Sequence, residues 1–514
     1  MFTSDDESDL SFFVPSDDCD SKDMHQVDKD NLKKFKGIRD KFNQKIEEER
    51  HELLDQLESL IRNWKGQLTD LRPFLQREEI DRLLIKFMKD SYSIFSSIYI
   101  IELVIRTGYK DEPELDKDGV PLSRRTTPLH QAARRRCFYV VDRLFKIYNR
   151  YDVNYTDESG LTHFHVACRY GCNGVVRKFL ELGQTPNCLA RESVDPPLHL
   201  AMRNFDKETM ELLLRSGADA NLINKDGLTP LHIICKSVER YDDKLAKLFF
   251  EVNEKVDQTV QVHARDKLGR TPLQWAVANL MSDAVDTLLD HVDDLSDFVF
   301  PKDLAMKYTL DCTLQMVVFP TMSIVKSLSR KGYSLNQNDA LMIMKIFGNY
   351  GLIDDSVEVV ECLRNDKKFA RMAKKQLVTS SMSLYDFLLL PTVKAEKIFT
   401  LEDYKEFTSG ISHLRDESHR AFIKYLCETV TRGFLRDWAL KLFSKKSPWL
   451  SGRCCEEIID QLNVKGLWYI CMEASNQSTQ WVDCVRTDYI KGNYNRDLSL
   501  QFHRGGCFTL NKKI

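Results

Sequence analysis

The chain has 514 residues, a length that at about 150 residues per domain holds three or four compact units. Apolar residues make up 43% and charged residues 29%, and 74 Lys+Arg stand against 77 Asp+Glu. The net charge of −3 excludes a general electrostatic clamp on nucleic acid. A mean hydropathy of −0.38, with no apolar run near the roughly 18 residues of a spanning helix, excludes an integral membrane protein.

The opening residues, Met1 to Phe13, lack the basic and apolar regions of a secretory signal. From Asp5 to Asp30 ten carboxylates face only Lys22 and Lys29, so residues 1–30 read as a disordered acidic tail. From 31 to 95 the pattern turns helical. Phe35, Ile38, Phe42, Ile46, Leu53, Leu57, Leu60 and Trp64 recur at spacings of three and four or their multiples. That is an amphipathic helix, laid on the rest of the fold in preference to pairing as a dimerising coil.

An internal repeat decides the middle of the chain. Thr127-Pro128-Leu129-His130-Gln131-Ala132 returns as Thr162 to Ala167, Pro196 to Ala201, Thr229 to Ile234 and Thr271 to Ala276, at offsets of 35, 34, 33 and 42 residues. A period near 33 with T-P-L-H-x-A resembles the ankyrin repeat. The resemblance implies an all-α solenoid over 96–303, in which each repeat is stable only against its neighbours. Local physics agrees with it. Proline in a first helical turn loses no hydrogen bond, and the preceding Thr caps the exposed amides. In the family the His ties neighbouring fingers together. The 42-residue offset predicts a protruding loop around Arg240 to Gln261, and Ile98–Gly108 with Asp118-Gly119 predicts a degenerate capping repeat. Residues 304–433 read as degenerate repeats or a helical bridge, with Gly332 to Asn336 echoing a repeat's closing turn and helices expected over Ala340–Gly348 and Ser383–Leu390.

Phe434 to Ala439 and Leu450 to Cys471 resemble the PRANC domain, the C-terminal module that follows ankyrin repeats in poxviral and parasitoid-wasp proteins. Ser383 to Leu388 looks like the wasp branch. PRANC is similar to a shortened F-box, the helical hook that enters the adaptor Skp1 of cullin-1 ubiquitin ligases. Carried onto this chain, the hook's apolar register falls on Leu450, Cys454, Cys455, Ile458, Ile459, Leu462 and Leu467. Ser451 stands where the F-box has proline, and the third helix is cut short. The competing reading makes 434–474 a cap on the helical stack. Residues 475–514 read as a disordered polar tail.

Candidate chemistry is thin. His163-x-His165-x-x-Cys168-x-x-x-Cys172 has ligand types at metal spacing, yet His165 is the repeat's structural His and Cys168 a packing position. The 14 cysteines form no CxxC pair and read as free thiols of a reducing compartment, cytoplasmic or nuclear. Cys454-Cys455 lacks a recognisable His or acidic partner for nucleophilic work. No phosphate loop, dinucleotide fingerprint or metalloprotease motif is present, so neither a cofactor nor a metal is expected. A basic ladder is sharper. Arg134, Arg169, Arg203 and Lys236 occupy one register of successive repeats, with Arg135 and Arg265 extending it. Together they suit an acidic or phosphorylated client, or this chain's own acidic tail. The expected function is a non-catalytic substrate receptor, with a sequestering IκB-like inhibitor as the alternative.

Overall fold

The computed structural model describes residues 76–90, 94–189, 195–236, 244–304, 314–353, 370–401 apart from positions 372, 380–381 and 391, 417–475, the strands 498–502 and 508–512, and a few isolated positions. The acidic tail and the amphipathic helix expected over Phe35 to Trp64 lie essentially outside the described residues. By contact density the chain divides into two compact units, Met1–Ile234 with Leu248–Val260, and Cys235–Lys247 with Gln261–Ile514.

In the first unit, helices Arg77–Asp90 and Ile94–Arg106 precede three inner–outer helix pairs: Pro128–Arg135 with Phe138–Ile147, His163–Tyr170 with Asn173–Glu181, and Pro197–Arg203 with Lys207–Arg215. Inner helix starts follow the motif residue by residue. Thr127 is extended, Pro128 takes the first helical turn, and Thr162 Oγ1 accepts from the His165 N–H at 3.2 Å. The buried core is drawn from the faces between helices, with Leu129, Val140, Leu144, Phe164, Val176, Leu213 and Leu231 all at 0% exposure. Where a capping repeat is expected, the structure has helix Ile94–Arg106, a left-handed Gly119 and a turn in which Asp116 Oδ1 accepts from the amides of Asp118 and Val120, both at 2.9 Å.

A buried charge cluster seats the N-terminal helix. Arg125, at the base of the finger that leads into the first inner helix, bonds Asp81 and, at 2.7 Å, Asp111. The hydroxyls of Tyr148 and Tyr155 donate to the same two carboxylates at 2.5 and 2.7 Å. Such a cluster is tolerated only because every oxygen finds a partner.

Where the turn is among the described residues, an inner helix passes into its outer helix through one left-handed residue, nine positions after the motif's first. These are Arg136 (φ 58°), Gly171 (68°), Phe205 (55°) and Leu280 (57°). Gly171 is required twice over, since a Cβ there would stand 2.1 Å from Asp206 Oδ2. For the other three this backbone costs roughly 1–2 kcal/mol. Phe205 and Leu280 offset it by burial, at 9% and 4% exposure, whereas Arg136 is exposed.

The second unit contains helices Pro272–Ala278 and Ser282–Asp290, then Leu314–Arg330, Gln337–Asn349, Leu384–Leu388, Thr392–Ala395, Glu417–Lys446, Gly452–Asp460 and Val464–Ser475. Helices Pro230–Lys236 and Lys244–Lys255 each divide their residues between the units. Glu417–Lys446 is the hub of this unit, packing on Leu314–Arg330 and on both C-terminal helices. As expected, Gly332 is left-handed, and Asn336 caps the next helix by accepting from Asp339 N–H at 3.0 Å.

Three expectations change. The loop around Arg240 to Gln261 is in large part helix Lys244–Lys255, 12 residues against nine or ten in the other outer helices. Its apolar spacing, with Leu245, Phe249 and Val252 all buried, extends the outer face. The boundary at 434 falls inside the 30-residue helix Glu417–Lys446, so no linker separates bridge from C-terminal module there. The polar tail contains an antiparallel hairpin, Leu498–Phe502 with Phe508–Lys512. Its alternation, Leu498-Ser499-Leu500-Gln501-Phe502, followed by Gly505-Gly506, is the period-two signal of a hairpin.

Candidate protein-interaction surfaces

The repeat histidines are structural in a specific way. His130 Nδ1 accepts from the Thr127 N–H at 3.0 Å and its Nε2–H donates to the Tyr155 carbonyl at 3.2 Å, so one ring fixes a helix start and the next finger. The Thr127 bond dictates the tautomer. Gln274 performs both tasks with an amide, accepting from Thr271 N–H and donating to the Val299 carbonyl, each at 2.9 Å. His232 Nδ1 accepts from Thr229 N–H at 3.1 Å. His199 departs from the pattern. Its Nε2 lies 2.8 Å from the Leu228 carbonyl, but Pro196 offers neither N–H nor hydroxyl, and Nδ1 has no partner. Restoring a Thr at this position (Pro196→Thr) should satisfy that nitrogen. Against the entropy lost with proline, the net gain expected is about 1 kcal/mol. Chemical denaturation measures it, and an unchanged or lower midpoint contradicts the account.

Burial drives four of the repeat rings toward the neutral form. His130, His165 and His199 are lowered to about 4, and His163 falls well below its ordinary value. The HxH spacing does not converge on a metal. His163 Nε2 lies 2.7 Å from Thr127 Oγ1, and His165 Nδ1 lies 2.7 Å from Thr162 Oγ1. Burial also pushes the Cys168 and Cys172 thiols up. Among the described residues no group of three or more His, Cys, Asp or Glu is placed to hold a metal ion.

The basic ladder resolves into unlike members. Arg134 Nη2 meets Asp157 Oδ2 at 2.7 Å, while Asp157 Oδ1 accepts from the amides of Ser159 and Leu161 at 2.8 and 3.0 Å. Arg134 therefore clamps a finger turn. Arg203 does the same work, with Nε 2.7 Å from Asp195 Oδ2, the carboxylate whose Oδ1 accepts from Asn224 at 2.8 Å. Arg169 stacks on its neighbour, 5.7 Å from the Tyr170 ring centroid. Arg135 is exposed. In the second unit, Lys236 Nζ and the Arg270 guanidinium lie 4.8 and 4.6 Å from the Trp275 ring centroid, and Arg265 donates to the Gly269 carbonyl at 3.0 Å.

At the C-terminus, helices Gly452–Asp460 and Val464–Ser475 are joined by a short turn. Ser451 starts the first by accepting from the Cys454 N–H at 3.3 Å, so a serine cap stands in for the expected proline. Asn463 Oδ1 accepts from Gly466 N–H at 2.8 Å at the start of the second. The seven register positions divide. Cys455, Ile459 and Leu467 are 1% exposed or less and Ile458 8%, all within this chain's own packing. Leu450 and Leu462 are half-buried, and Cys454 is exposed. Trp449, 52% exposed, and Tyr469, 44% exposed, add aromatic surface that the register count missed. Also missed was Arg432, a buried charge in helix Glu417–Lys446. It makes two contacts to Glu396, at 3.1 and 3.2 Å, and donates to the Asp460 and Leu462 carbonyls, each at 3.1 Å. It thereby closes the turn between the two helices. Arg436 Nε reaches Asp460 Oδ1 at 2.5 Å beside it.

Comparison with known proteins bears on the repeats. Two ankyrin-repeat family profiles match residues 129–180 and 198–297. An ankyrin repeat protein of fowlpox virus is 25% identical over 246 residues, covering 46% of this chain and 69% of the viral protein. Ankyrin repeat and SOCS box protein 11 of Mus musculus is 32% identical over 150 residues, 28% of this chain and 43% of the mouse protein. BCL-6 corepressor-like protein 1 of Homo sapiens is 38% identical over 82 residues, 16% of this chain and 4% of the human one. The chain thus spans less than half the length of the two mammalian relatives. Among the described residues no helix is long and apolar enough to cross a membrane.

Proposed function

From a chain that carries ankyrin repeats and, beyond them, the two short helices Gly452–Asp460 and Val464–Ser475, we infer a non-catalytic scaffold that captures a client protein and delivers it to a ubiquitin ligase. The client binds the repeats. The segment from Trp449 to Ser475 docks Skp1 and, through it, cullin-1. The observation that carries this reading is the apolar side chains this segment leaves uncovered, with Trp449, Cys454 and Tyr469 exposed and Leu450 and Leu462 half-buried. Apolar surface of this kind suits a groove on a partner. The similarity to a poxviral ankyrin repeat protein over 46% of the chain supports it. So does a relative whose name couples ankyrin repeats to a second module, the SOCS box. The chain's own work is placement, since holding client lysines near a charged carrier raises their effective concentration.

The test must spare the core. A charge at Ile458 would enter packing that leaves it 8% exposed and would unfold the module instead of probing its surface. Leu450→Asp with Cys454→Asp changes one half-buried and one exposed position and leaves the buried Cys455, Ile458 and Ile459 in place. Purified Skp1 should bind the full chain, and the double variant should lose that binding by about a hundredfold while its thermal unfolding stays within about 0.5 kcal/mol of the parent. Binding that survives the double change sinks the hook reading and leaves a stoichiometric inhibitor that sequesters its client without ubiquitin chemistry.

A further inference from the structure

Among the described arginines of the repeats, Arg125, Arg134, Arg150, Arg203, Arg215 and Arg270 meet a carboxylate. Others do not, three of them at the ends of the first two inner helices. Arg135, Arg136 and Arg169 form no ion pair among the described residues. Arg135 and Arg136 are exposed and Arg169 is half-buried. The Tyr170 hydroxyl donates to the Ala133 carbonyl at 3.1 Å, which lays its ring across the end of the first inner helix. Arg169 stands 5.7 Å from that ring's centroid. Burial raises the Tyr170 hydroxyl, and the charges of Arg169 and Arg136 both oppose the rise.

Arg136 also has no stability reason to be there. The turn demands a left-handed residue, which glycine supplies without strain at Gly171. Phe205 and Leu280 compensate for that backbone by burying their side chains. Arg136 gains neither burial nor an ion pair, so what distinguishes it from glycine is an outward charge.

We propose that Arg135, Arg136 and Arg169, at the ends of the first two inner helices beside Tyr170, form a docking site for a carboxylate-rich segment of a partner protein. The inference rests on the client-capture half of the proposed function and is independent of Skp1. Charge complementarity selects the occupant. The guanidinium groups come from two successive repeats and so suit carboxylates spaced along an extended peptide, whereas a single phosphate needs donors that converge on one point. An aromatic ring beside them excludes water and strengthens each charge-assisted bond. Nucleic acid fits poorly, because the chain as a whole is negative and three charges give little counterion release.

The experiment uses the full chain and a fluorescein-labelled peptide of alternating glutamate and glycine, followed by anisotropy at low ionic strength. The peptide should bind, weaken as salt rises, and lose about tenfold or more in affinity in the variant Arg135→Gln, Arg136→Gly, Arg169→Gln. Arg134→Gln with Arg203→Gln should leave binding unchanged, and the glutamine version of the peptide should not bind. Failure of the glutamate peptide to bind the parent chain, or equal binding to the triple variant, overturns the site. Tighter binding of a phosphoserine peptide or of single-stranded DNA of the same charge overturns the choice of occupant. Tighter binding of a peptide spanning residues 5–30 does so too, by assigning the patch to this chain's own tail. Skp1 affinity of the triple variant, measured alongside, should equal the parent's, which separates failure here from failure of the hook.

Discussion

Lowering the pH from 6.5 to 4 should unfold the first ankyrin unit. His130, His165 and His199 are buried and lowered to about 4 from an ordinary 6.5, so between these limits the unfolded chain binds protons that the folded chain refuses. Stability from a depressed group is present above the unfolded value and lost as pH falls toward the folded one. Each His loses about 3 kcal/mol across the window, so the three together lose roughly 10 kcal/mol, comparable to a domain's whole stability. His163 acts in the same direction. Asp81, raised mainly by burial, works the other way as a single group. Asp157 is lowered from 3.8, so its loss begins below this window. Urea midpoints at pH 7 and 5 give the slope, and His130→Gln, which copies the arrangement at Gln274, should reduce proton uptake by about one. A slope that the substitution does not move removes the histidines as its cause.

Replacing Arg432 with methionine should cost about 3–5 kcal/mol, because it leaves Glu396 without its cation and uncaps two carbonyls in the turn at 460–462. The Arg432 side chain is 1% exposed and that of Glu396 16%, so water replaces little of what is lost. Arg432→Met with Glu396→Gln should recover a large part of the loss, and the cycle of single and double variants isolates the pair. Hydrogen exchange should quicken first in amides of 461–467, where the second helix begins. Uniform loosening of the unit, or additive single and double effects, would show that Arg432 only fills space.

Much of this fold was legible in chain order. The T-P-L-H motif is read locally. Pro fits a first helical turn at Pro128, Pro197, Pro230 and Pro272, and a Thr hydroxyl caps the starts after Thr162, Thr229 and Thr271. The closing turns at Gly171 and Gly332 were equally local, as was the hairpin of the C-terminal tail, whose period-two pattern went unread.

What only the tertiary structure decided is which of several equivalent positions reaches a partner. Arg134, Arg169 and Arg203 share one register, yet Asp157 and Asp195 take up the first and third. No carboxylate pairs with the second among the described residues. Register reports the side of a helix, and the charge facing it comes from a loop more than 20 residues away in one case and eight in the other. The same holds for the C-terminal helices. Their spacing marks an apolar face at Cys455, Ile459 and Leu467, but periodicity cannot say against what that face is buried. In this chain it is buried inside the unit built around Glu417–Lys446. The apolar side chains left uncovered are Trp449, Cys454 and Tyr469, with Leu450 half-buried, residues selected by what the core had no room to cover.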